Sequence, residues 1–450
     1  MELNLPKFYK ACNPSKTLDL GKPADRPYYI DFAPVRGGTV INELQRTITR
    51  LSPDEPTCQL FTGHIGCGKS TELLRLKYQL EQEDFHVVYF ESSQYLVMAD
   101  VDITDVLLTI ARQVYESLEQ ANIKLQPKGF KALIQNAVDL LQTEIDVKGK
   151  VSVPGVGDMK ASTDGEFSLS LGLGEITAKT KNNPELRSQL RQFLESRTDT
   201  LIEKINQELL EPAIKALKQQ GKNGLVAIVD NLDRVDNSPK SKTRTQPEYL
   251  FVDRGEQLKQ LNCHLVYTIP LVLIFSNDHG RLINRFGVEP KVLPMVRVQL
   301  RDGTYCQKGI DLLQQMVLTR AFPNLERDRL RDLICELFDD VETLNHLCRI
   351  SGGHVRRLMV MLYSCLQKTD PPISRQVLDD VVRRQRDALM RAITEDEWEL
   401  LRQVVKQEGV KGEEEYQTLL RSMFVFEYQD DDGGLFSINP ILEGAKQLHA

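Results

Sequence analysis

A glycine-rich segment that begins at residue 63 combines the residue types that bind a triphosphate. Glycines permit backbone angles that a side chain would forbid, so the amide hydrogens can close around phosphate oxygens. Lys69 would place a positive charge on the β- and γ-phosphates, and the Ser70 hydroxyl would be a ligand of Mg²⁺. We therefore predict that this loop binds ATP and Mg²⁺. Its residues are Gly63, His64, Ile65, Gly66, Cys67, Gly68, Lys69, Ser70 and Thr71.

The elements on either side of the loop provide the context that the motif needs. The spacing Gly-x4-Gly-Lys-Ser satisfies the Walker A pattern in full. Residues 57–62 predict a short strand before the loop, and residues 69–81 predict an amphipathic helix after it. The positive N-terminal end of that helix would face the phosphates. The alternative, a glycine-rich turn without a ligand, does not explain this context.

An acidic strand end supplies the second candidate site. Residues 225–229 form a continuous apolar run, as expected for a strand that is buried on both faces, and Asp230 ends it. Asp230 would hold Mg²⁺ through water, with a turn-capping aspartate as the alternative. Many ATPases carry a glutamate directly after this aspartate to polarise the attacking water, but this chain has Asn231. Asp233 is the candidate base, against a helix-capping role; without a base, hydrolysis would be slow.

The elements along the chain alternate between strands and helices, which predicts an α/β fold with a doubly wound parallel sheet. Between about residues 147 and 181, alternating apolar residues in the segments 151–153, 167–171 and 176–178 predict a small β excursion or a partly mobile insert. A short strand is predicted at 28–31, a loop at 236–248, and a charged helix over 184–220 with a break near Pro212. From residue 305 to 390 the periodicity is helical, which predicts an α-helical lid.

The C-terminal end has the outline of a winged helix, because a helix at 416–423 precedes two strands around an Asp-Gly turn. These patterns predict four units: a lead-in at 1–56, an ATPase core at 57–303 with an insert at about 145–222, a lid at 304–392, and a winged-helix-like domain at 393–450.

Composition and charge indicate where in the cell the protein is expected and which classes of partner are not favoured. The formal net charge is −7, so no global attraction to nucleic acid or to an anionic membrane is expected. The eight cysteines are scattered without a CxxC pair, which favours free thiols in a reducing compartment. No signal peptide is recognisable, and the longest apolar run, 265–275, is shorter than the roughly twenty residues that span a bilayer. We expect a cytoplasmic protein.

The chain resembles the AAA+/STAND branch of P-loop ATPases, which includes origin-recognition-type proteins. The resemblance runs from about residue 28 to the C-terminus. The chain is also similar to a group of prokaryotic ATP-binding proteins that have an Asp-Asn-Leu-Asp-Arg segment and a long helical insert before it. Besides the Walker A loop, it is carried by residues 230–233, residues 264–269 and the segment Ser351-Gly352-Gly353-His354-Val355-Arg356-Arg357-Leu358.

The resemblance implies further site residues. Thr268 matches by position the polar residue that senses the γ-phosphate, although a buried β-branched residue explains it equally well. Arg356, or alternatively Arg357, matches the lid arginine that contacts the nucleotide; the other interpretation is a solvent-facing arginine. Arg285 matches the arginine finger that acts on a neighbouring subunit, which STAND proteins often lack. With Lys69 and Asp233, these residues would form the catalytic set.

The resemblance also implies the function. The first hypothesis is an ATP-driven switch that forms a homo-oligomer on binding ATP and signals to a separately encoded partner protein, in prokaryotic signalling or antiphage defence. The second is a DNA-acting AAA+ ATPase of the initiator or transposition-regulator type. The acidic tip Asp430-Asp431-Asp432 of the predicted wing opposes DNA phosphate and favours the first. A small-molecule kinase is a third, weaker alternative.

Overall fold

The fold is seen in a computed structural model, which describes residues 3–148, 168–407 and 414–448. The strands are β1 Cys58–Thr62, β2 Phe85–Glu91, β3 Gly224–Asp230, β4 Pro239–Ser241, β5 Arg244–Thr245, β6 His264–Thr268, β7 Lys291–Val292, β8 Val425–Asp430 and β9 Gly433–Ile438.

The helices fall into three groups along the chain. Those before and within the ATPase core are α1 Leu5–Ala11, α2 Val40–Arg46, α3 Lys69–Gln82, α4 Ile103–Gln120, α5 Lys128–Lys148, α6 Leu169–Asn182, α7 Pro184–Glu195, α8 Thr198–Lys204, α9 Glu211–Gln219, α10 Gly255–Lys259 and α11 His279–Phe286. Those of the helical region are α12 Gln307–Ala321, α13 Arg327–Arg331, α14 Ile334–Leu337, α15 Val341–Ile350, α16 Val355–Leu366 and α17 Arg375–Met390. The C-terminal region contributes α18 Glu395–Gln407 and α19 Glu414–Arg421.

The central sheet has five strands in the order β2-β3-β6-β1-β7, and every pair is parallel. Helices cover both of its faces, which explains why β1, β3 and β6 are buried along their whole length. The predicted doubly wound α/β fold is therefore confirmed. Because the strands are parallel, the carboxyl ends of β1, β3 and β6 meet at one edge, where Thr62, Asp230 and Thr268 lie.

The lead-in and the C-terminal region each contribute to two apolar cores. Phe8 and Phe32 from the lead-in join the apolar cluster of the helical region α12–α17. The C-terminal hairpin β8–β9 places Phe426 and Tyr428 in the cluster that contains Phe61, at the end of β1. The hairpin therefore belongs to the core directly beneath the glycine-rich loop.

The predicted strands at 167–171 and 176–178 are wrong, because helix α6 begins at Leu169 and includes residues 176–178. Leu169, Leu173, Ile176 and Thr180 are buried, and their spacing is that of one helix face. That face packs against α4, α5 and α7. The short Gly-separated alternation is also compatible with a helix, and the packing decides between the two. The predicted strand at 151–153 lies outside the described residues.

Three smaller expectations also need correction. Arg26–Tyr28 is a turn of 3₁₀ helix, with Pro27 in its first turn, where the sequence predicts a strand over 28–31. The stretch 236–248 contains the small hairpin β4–β5. The charged helix breaks at Ser196–Arg197, between α7 and α8, while Pro212 lies in the first turn of α9, where a proline is tolerated.

None of the helices in the described ranges is long and apolar enough to cross a membrane. All eight cysteines are free, as predicted, and seven of them are buried; Cys335 is exposed.

Candidate functional site

The loop between β1 and α3 has the backbone geometry of a phosphate cradle. Gly63, Gly66 and Gly68 have φ angles of 147°, 88° and 111°, where L-amino acids with side chains are strained. A Cβ at Gly66 would lie 2.6 Å from a ring carbon of His354, and a Cβ at Gly63 would lie 2.5 Å from a backbone carbonyl. The three glycines are therefore required both by the loop conformation and by what packs against it.

Lys69, the first residue of α3, is held at the mouth of this loop. Its side chain is only 5% exposed, and Nζ lies 3.0 Å from Asp233 Oδ2. Nζ also donates hydrogen bonds to the carbonyls of Gly63 and His64, at 2.6 and 2.9 Å. Burial alone would lower the pKa of Lys69, but the Asp233 carboxylate raises it above its ordinary value. A charged ammonium group therefore lies against the loop, between Asp233 and the carbonyls of Gly63 and His64.

Asp230, at the end of β3, is fully buried and accepts several hydrogen bonds. Tyr89 donates its hydroxyl to Oδ2 at 2.7 Å, the backbone N–H of Asn231 donates to Oδ1 at 2.7 Å, and the Ser70 side chain bonds to the same carboxyl. Burial raises the pKa of Asp230, and the nearby Asp233 charge raises it further. Ser70 and Asp230 thus form the adjacent hydroxyl and carboxylate that a Mg²⁺ site requires.

The backbone conformation after Asp230 gives a physical reason for asparagine at position 231. Its φ of 61° is left-handed, a region that asparagine enters more readily than most residues. The resulting turn brings Asp233 back beside Lys69, and Asp233 Oδ1 is buried without a hydrogen-bond partner among the described residues. The second carboxylate of the site therefore lies two residues later than the usual pattern.

Thr268 supports this turn from β6. Its hydroxyl oxygen accepts hydrogen bonds from the backbone N–H groups of Leu232 and Asp233, at 2.9 and 3.4 Å, and it lies 3.3 Å from the Val229 carbonyl oxygen. The residues that line the cavity over the loop include Lys69 and Asp233, while Thr268 lies behind them. The structure therefore places Thr268 as a residue that positions Asp233, and does not bring it to the cavity as a γ-phosphate sensor.

The predicted arginines separate into three positions. Arg356 lines the cavity, and its backbone N–H donates to the carbonyl of Gly66 at 3.2 Å. Arg357 instead lies over the ring of Phe426, with 5.9 Å to the centroid, so Arg356 is the residue that can reach a nucleotide. Arg285 is exposed on α11, away from the cavity lining, so a role toward a neighbouring subunit stays a prediction.

The sequence does not predict two further residues of the site, because each is distant in the chain from the residue that it contacts. Tyr89 on β2 reaches Asp230, although an aromatic residue in a strand is ordinarily interpreted as core. Arg36 in the lead-in is 3% exposed and donates Nη2 to the carbonyl of Cys67 at 2.7 Å. The segment Arg36-Gly37-Gly38 after an apolar run was the available signal, but nothing in it indicates contact with the loop.

The loop also contacts the helical region and the C-terminal hairpin through two histidines. His354 Nε2 donates to the carbonyl of Ile65 at 3.0 Å, because a carbonyl can only accept. His64 Nε2 accepts from the backbone N–H of Glu427, in β8, at 2.9 Å. Burial lowers the pKa of each histidine to about 3, so both rings are neutral. Phe426 packs against both rings, at centroid distances of 5.8 and 5.7 Å.

Glu427 is buried beside this contact, and burial raises its pKa to about 8. Since the folded chain prefers the protonated carboxyl, this stabilisation is complete below about pH 4.5 and is lost as the pH rises to about 8. We expect Glu427→Gln to remove a pH-dependent loss of unfolding free energy of at most about 1.4 kcal/mol per pH unit. Urea unfolding of both proteins at several pH values between 5 and 8.5 measures it.

The control for this prediction is Glu289→Gln, which changes an exposed carboxyl. This variant should keep the pH dependence of the wild type. If Glu427→Gln and the wild type lose stability in parallel over this range, the Glu427 carboxyl is not protonated in the folded state.

Comparison with family models gives a match over residues 39–250, which include the loop, β3 and Asp230, to the KAP family P-loop domain. The chain has the fold of a P-loop NTPase. The P-loop of this NTPase is the segment 63–71, and the match covers slightly under half of the chain. No curated protein has a significantly similar sequence.

Solved structures with a related arrangement are distant in sequence from this P-loop NTPase. The ORC2 protein of Aeropyrum pernix, in ADPNP and ADP complexes, is 11% identical over 98% of this chain and 95% of its own, with a TM-score of 0.41. A Walker-type ATPase of Pyrococcus abyssi is 11% identical over 98% and 100%, with a TM-score of 0.41. Drosophila ORC bound to DNA is 12% identical over 98% and 90%, with a TM-score of 0.37.

Proposed function

We propose that this P-loop NTPase is an ATP-dependent switch that changes its assembly state and signals to a separately encoded partner protein. The observation that carries the proposal is the bonding of the P-loop itself. Three of its residues bond to elements far along the chain: Ile65 and Gly66 to the start of α16, and His64 to β8. A ligand that reshapes this loop acts directly on both regions.

ATP and Mg²⁺ fit the residues present. The glycine cradle and Lys69 match a triphosphate, and Ser70 with Asp230 would hold Mg²⁺, which would neutralise charge between the β- and γ-phosphates. Lys69 would exchange its bonds to Asp233 and the two carbonyls for bonds to phosphate. Arg356 would add a second positive charge from the helical region. Asp233, released from Lys69, would accept the proton of the attacking water and so catalyse hydrolysis.

The switch requires only that ATP bind two arrangements of the chain with different affinity. In one arrangement the hairpin is held by His64, and in the other the P-loop conformation that grips the phosphates weakens that bond. Arg285, exposed on α11, is available to a neighbouring copy of the chain. A role in prokaryotic signalling or antiphage defence, in the cytoplasm, rests on the resemblance to STAND ATPases alone.

Native mass measurement with ATP and Mg²⁺, with ADP, and without nucleotide tests the proposal. We expect ATP alone to produce a multiple of the chain mass, and Lys69→Ala to remain a single chain under all conditions. We also expect Arg285→Ala to bind ATP normally but to lose turnover in the assembly. A wild-type chain that binds ATP and keeps one mass in all three conditions would contradict assembly as the output.

A DNA-acting ATPase is the second candidate, and the hairpin argues against it. Asp430, at the hairpin tip, accepts hydrogen bonds from Arg301 at 2.7 and 2.8 Å, so the tip is tied to this chain. The neighbouring Asp431 and Asp432 are exposed and would repel phosphate. Gel-shift titration with duplex DNA and ATP at two salt concentrations distinguishes the candidates. Tight binding that weakens steeply with salt would favour the DNA-acting ATPase.

A further inference from the structure

A second buried arginine lies in the nucleotide cavity, and the phosphate chemistry does not use it. Arg320, at the end of α12, is 8% exposed and lines the same cavity as Lys69. Its guanidinium lies over the ring of Tyr28, 5.4 Å from the centroid. Within the part of the chain that the structure describes, Nε is buried without a hydrogen-bond partner. The nearby carboxylate of Asp25 is bound to Lys16 at 2.6 Å.

A buried guanidinium N–H without a hydrogen-bond partner destabilises the folded chain unless a bound molecule supplies the acceptor. A guanidinium only donates hydrogen bonds, and its charge is poorly tolerated away from water without a partner. Burial accordingly lowers the pKa of Arg320. The face of the Tyr28 ring attracts the guanidinium but does not supply a conventional hydrogen-bond acceptor to Nε. The missing acceptor is therefore expected on the molecule that fills the cavity.

The residues around Arg320 indicate which part of the nucleotide carries the acceptor. The P-loop fixes the phosphates beside Lys69, with Arg356 on the same side. The rest of the lining comes from the lead-in and the helical region and is largely aromatic or apolar, as a base requires. Its aromatic and apolar residues include Leu18, Tyr28, Ile30, Phe32, Met316 and Met359. Arg320 lies in this wall, and the two lead-in cations that also line the cavity are already bonded: Lys16 to Asp25 and Arg36 to the carbonyl of Cys67.

We propose that Arg320 donates a hydrogen bond to an acceptor on the edge of the purine base. The inference rests on the proposed function, because it assigns the base end of the same ATP site. Ring nitrogens and carbonyl oxygens of purines can accept such a bond, whereas the exocyclic amino group cannot. The aromatic and apolar wall would hold the faces of the base, and Arg320 would read its edge.

The test compares ATP with inorganic tripolyphosphate, which has the phosphates but no base. Both are titrated calorimetrically with Mg²⁺ into the full chain. We expect Arg320→Met to weaken ATP binding about 10- to 100-fold, the effect of one charged hydrogen bond, and to leave tripolyphosphate binding unchanged. Arg383→Met, which removes an exposed arginine of α17, should alter neither. Arg320→Lys, which keeps the charge but not the fork of donors, should give an intermediate loss for ATP alone.

The outcomes separate a base contact from the other roles that this residue could have. An equal loss for ATP and tripolyphosphate would place Arg320 at the phosphates, and an unchanged ATP affinity would remove it from the ligand; either overturns the inference. A structural role predicts a lower melting temperature for Arg320→Met without ligand, whereas we expect no loss, because replacing an unpaired buried charge by an apolar group is tolerated. If the wild type binds neither compound, the proposed function itself fails.

Discussion

Lys69→Ala is expected to weaken ATP binding at least 100-fold. The ammonium is buried against the loop, and Asp233 raises its pKa above the ordinary value, so it is charged at neutral pH. Charged hydrogen bonds of this kind are worth about 1.5–3 kcal/mol each, and Lys69 would make more than one to the phosphates. Titration with a fluorescent ATP analogue measures the loss.

The variant also leaves the buried Asp233 carboxylate without its partner, which costs about 3–5 kcal/mol in comparable pairs. Lost binding must therefore be separated from lost folding. In the double variant Lys69→Ala/Asp233→Asn, the orphaned charge is gone, so we expect the stability to recover while ATP binding stays weakened at least 100-fold. Lys77→Ala, on the same helix but at its partly exposed surface, should bind ATP normally. Unchanged binding by Lys69→Ala would defeat the assignment of the P-loop.

Asp233→Asn is expected to lower the turnover of ATP about 100-fold or more, the usual contribution of a general base. Its affinity for ATP should stay the same or increase, because the neutral amide that replaces the carboxylate no longer competes with phosphate for Lys69. Steady-state hydrolysis and equilibrium binding, measured on the same preparation, give the two quantities. Lower turnover together with an unchanged or higher affinity identifies a base, since the loss of a residue that merely stabilises the fold would lower both turnover and affinity.

The control for the base is Asp236→Asn, three residues later in an exposed position. This substitution should leave both turnover and affinity as they are in the wild type. If Asp233→Asn turns over ATP at the wild-type rate, the Asp233 carboxylate serves only as the partner of Lys69, and the water is activated by another group.

The parts of the site that the sequence predicts correctly are those encoded by neighbouring residues. The P-loop is one contiguous segment whose glycines have one physical use, and the run 225–229 is apolar because both faces of β3 are covered. Parallel pairing then brings Asp230 to the same edge as Ser70 without further information. The fold class follows from the same alternation of strands and helices.

The parts of the site and of the fold that the sequence does not predict depend on contacts between residues that are distant in the chain. His64 occupies a position where the motif accepts any residue, and nothing local indicates that it bonds to β8 more than 350 residues later. Arg36 and Arg320 look like ordinary surface cations until the lead-in and the helical region enclose them. The prediction of strands within residues 169–178 is wrong for a related reason, because the buried face of α6 is defined by the helices around it.

The structure of the chain with a non-hydrolysable ATP analogue and Mg²⁺ tests the central claim most directly. We predict that Lys69 Nζ leaves Asp233 and bonds to the β- and γ-phosphates, that the metal lies beside Ser70 and Asp230, and that the base lies against Tyr28 within reach of Arg320. A nucleotide bound elsewhere, or a Lys69 side chain still bonded to Asp233 with the triphosphate in the cavity, would contradict the account.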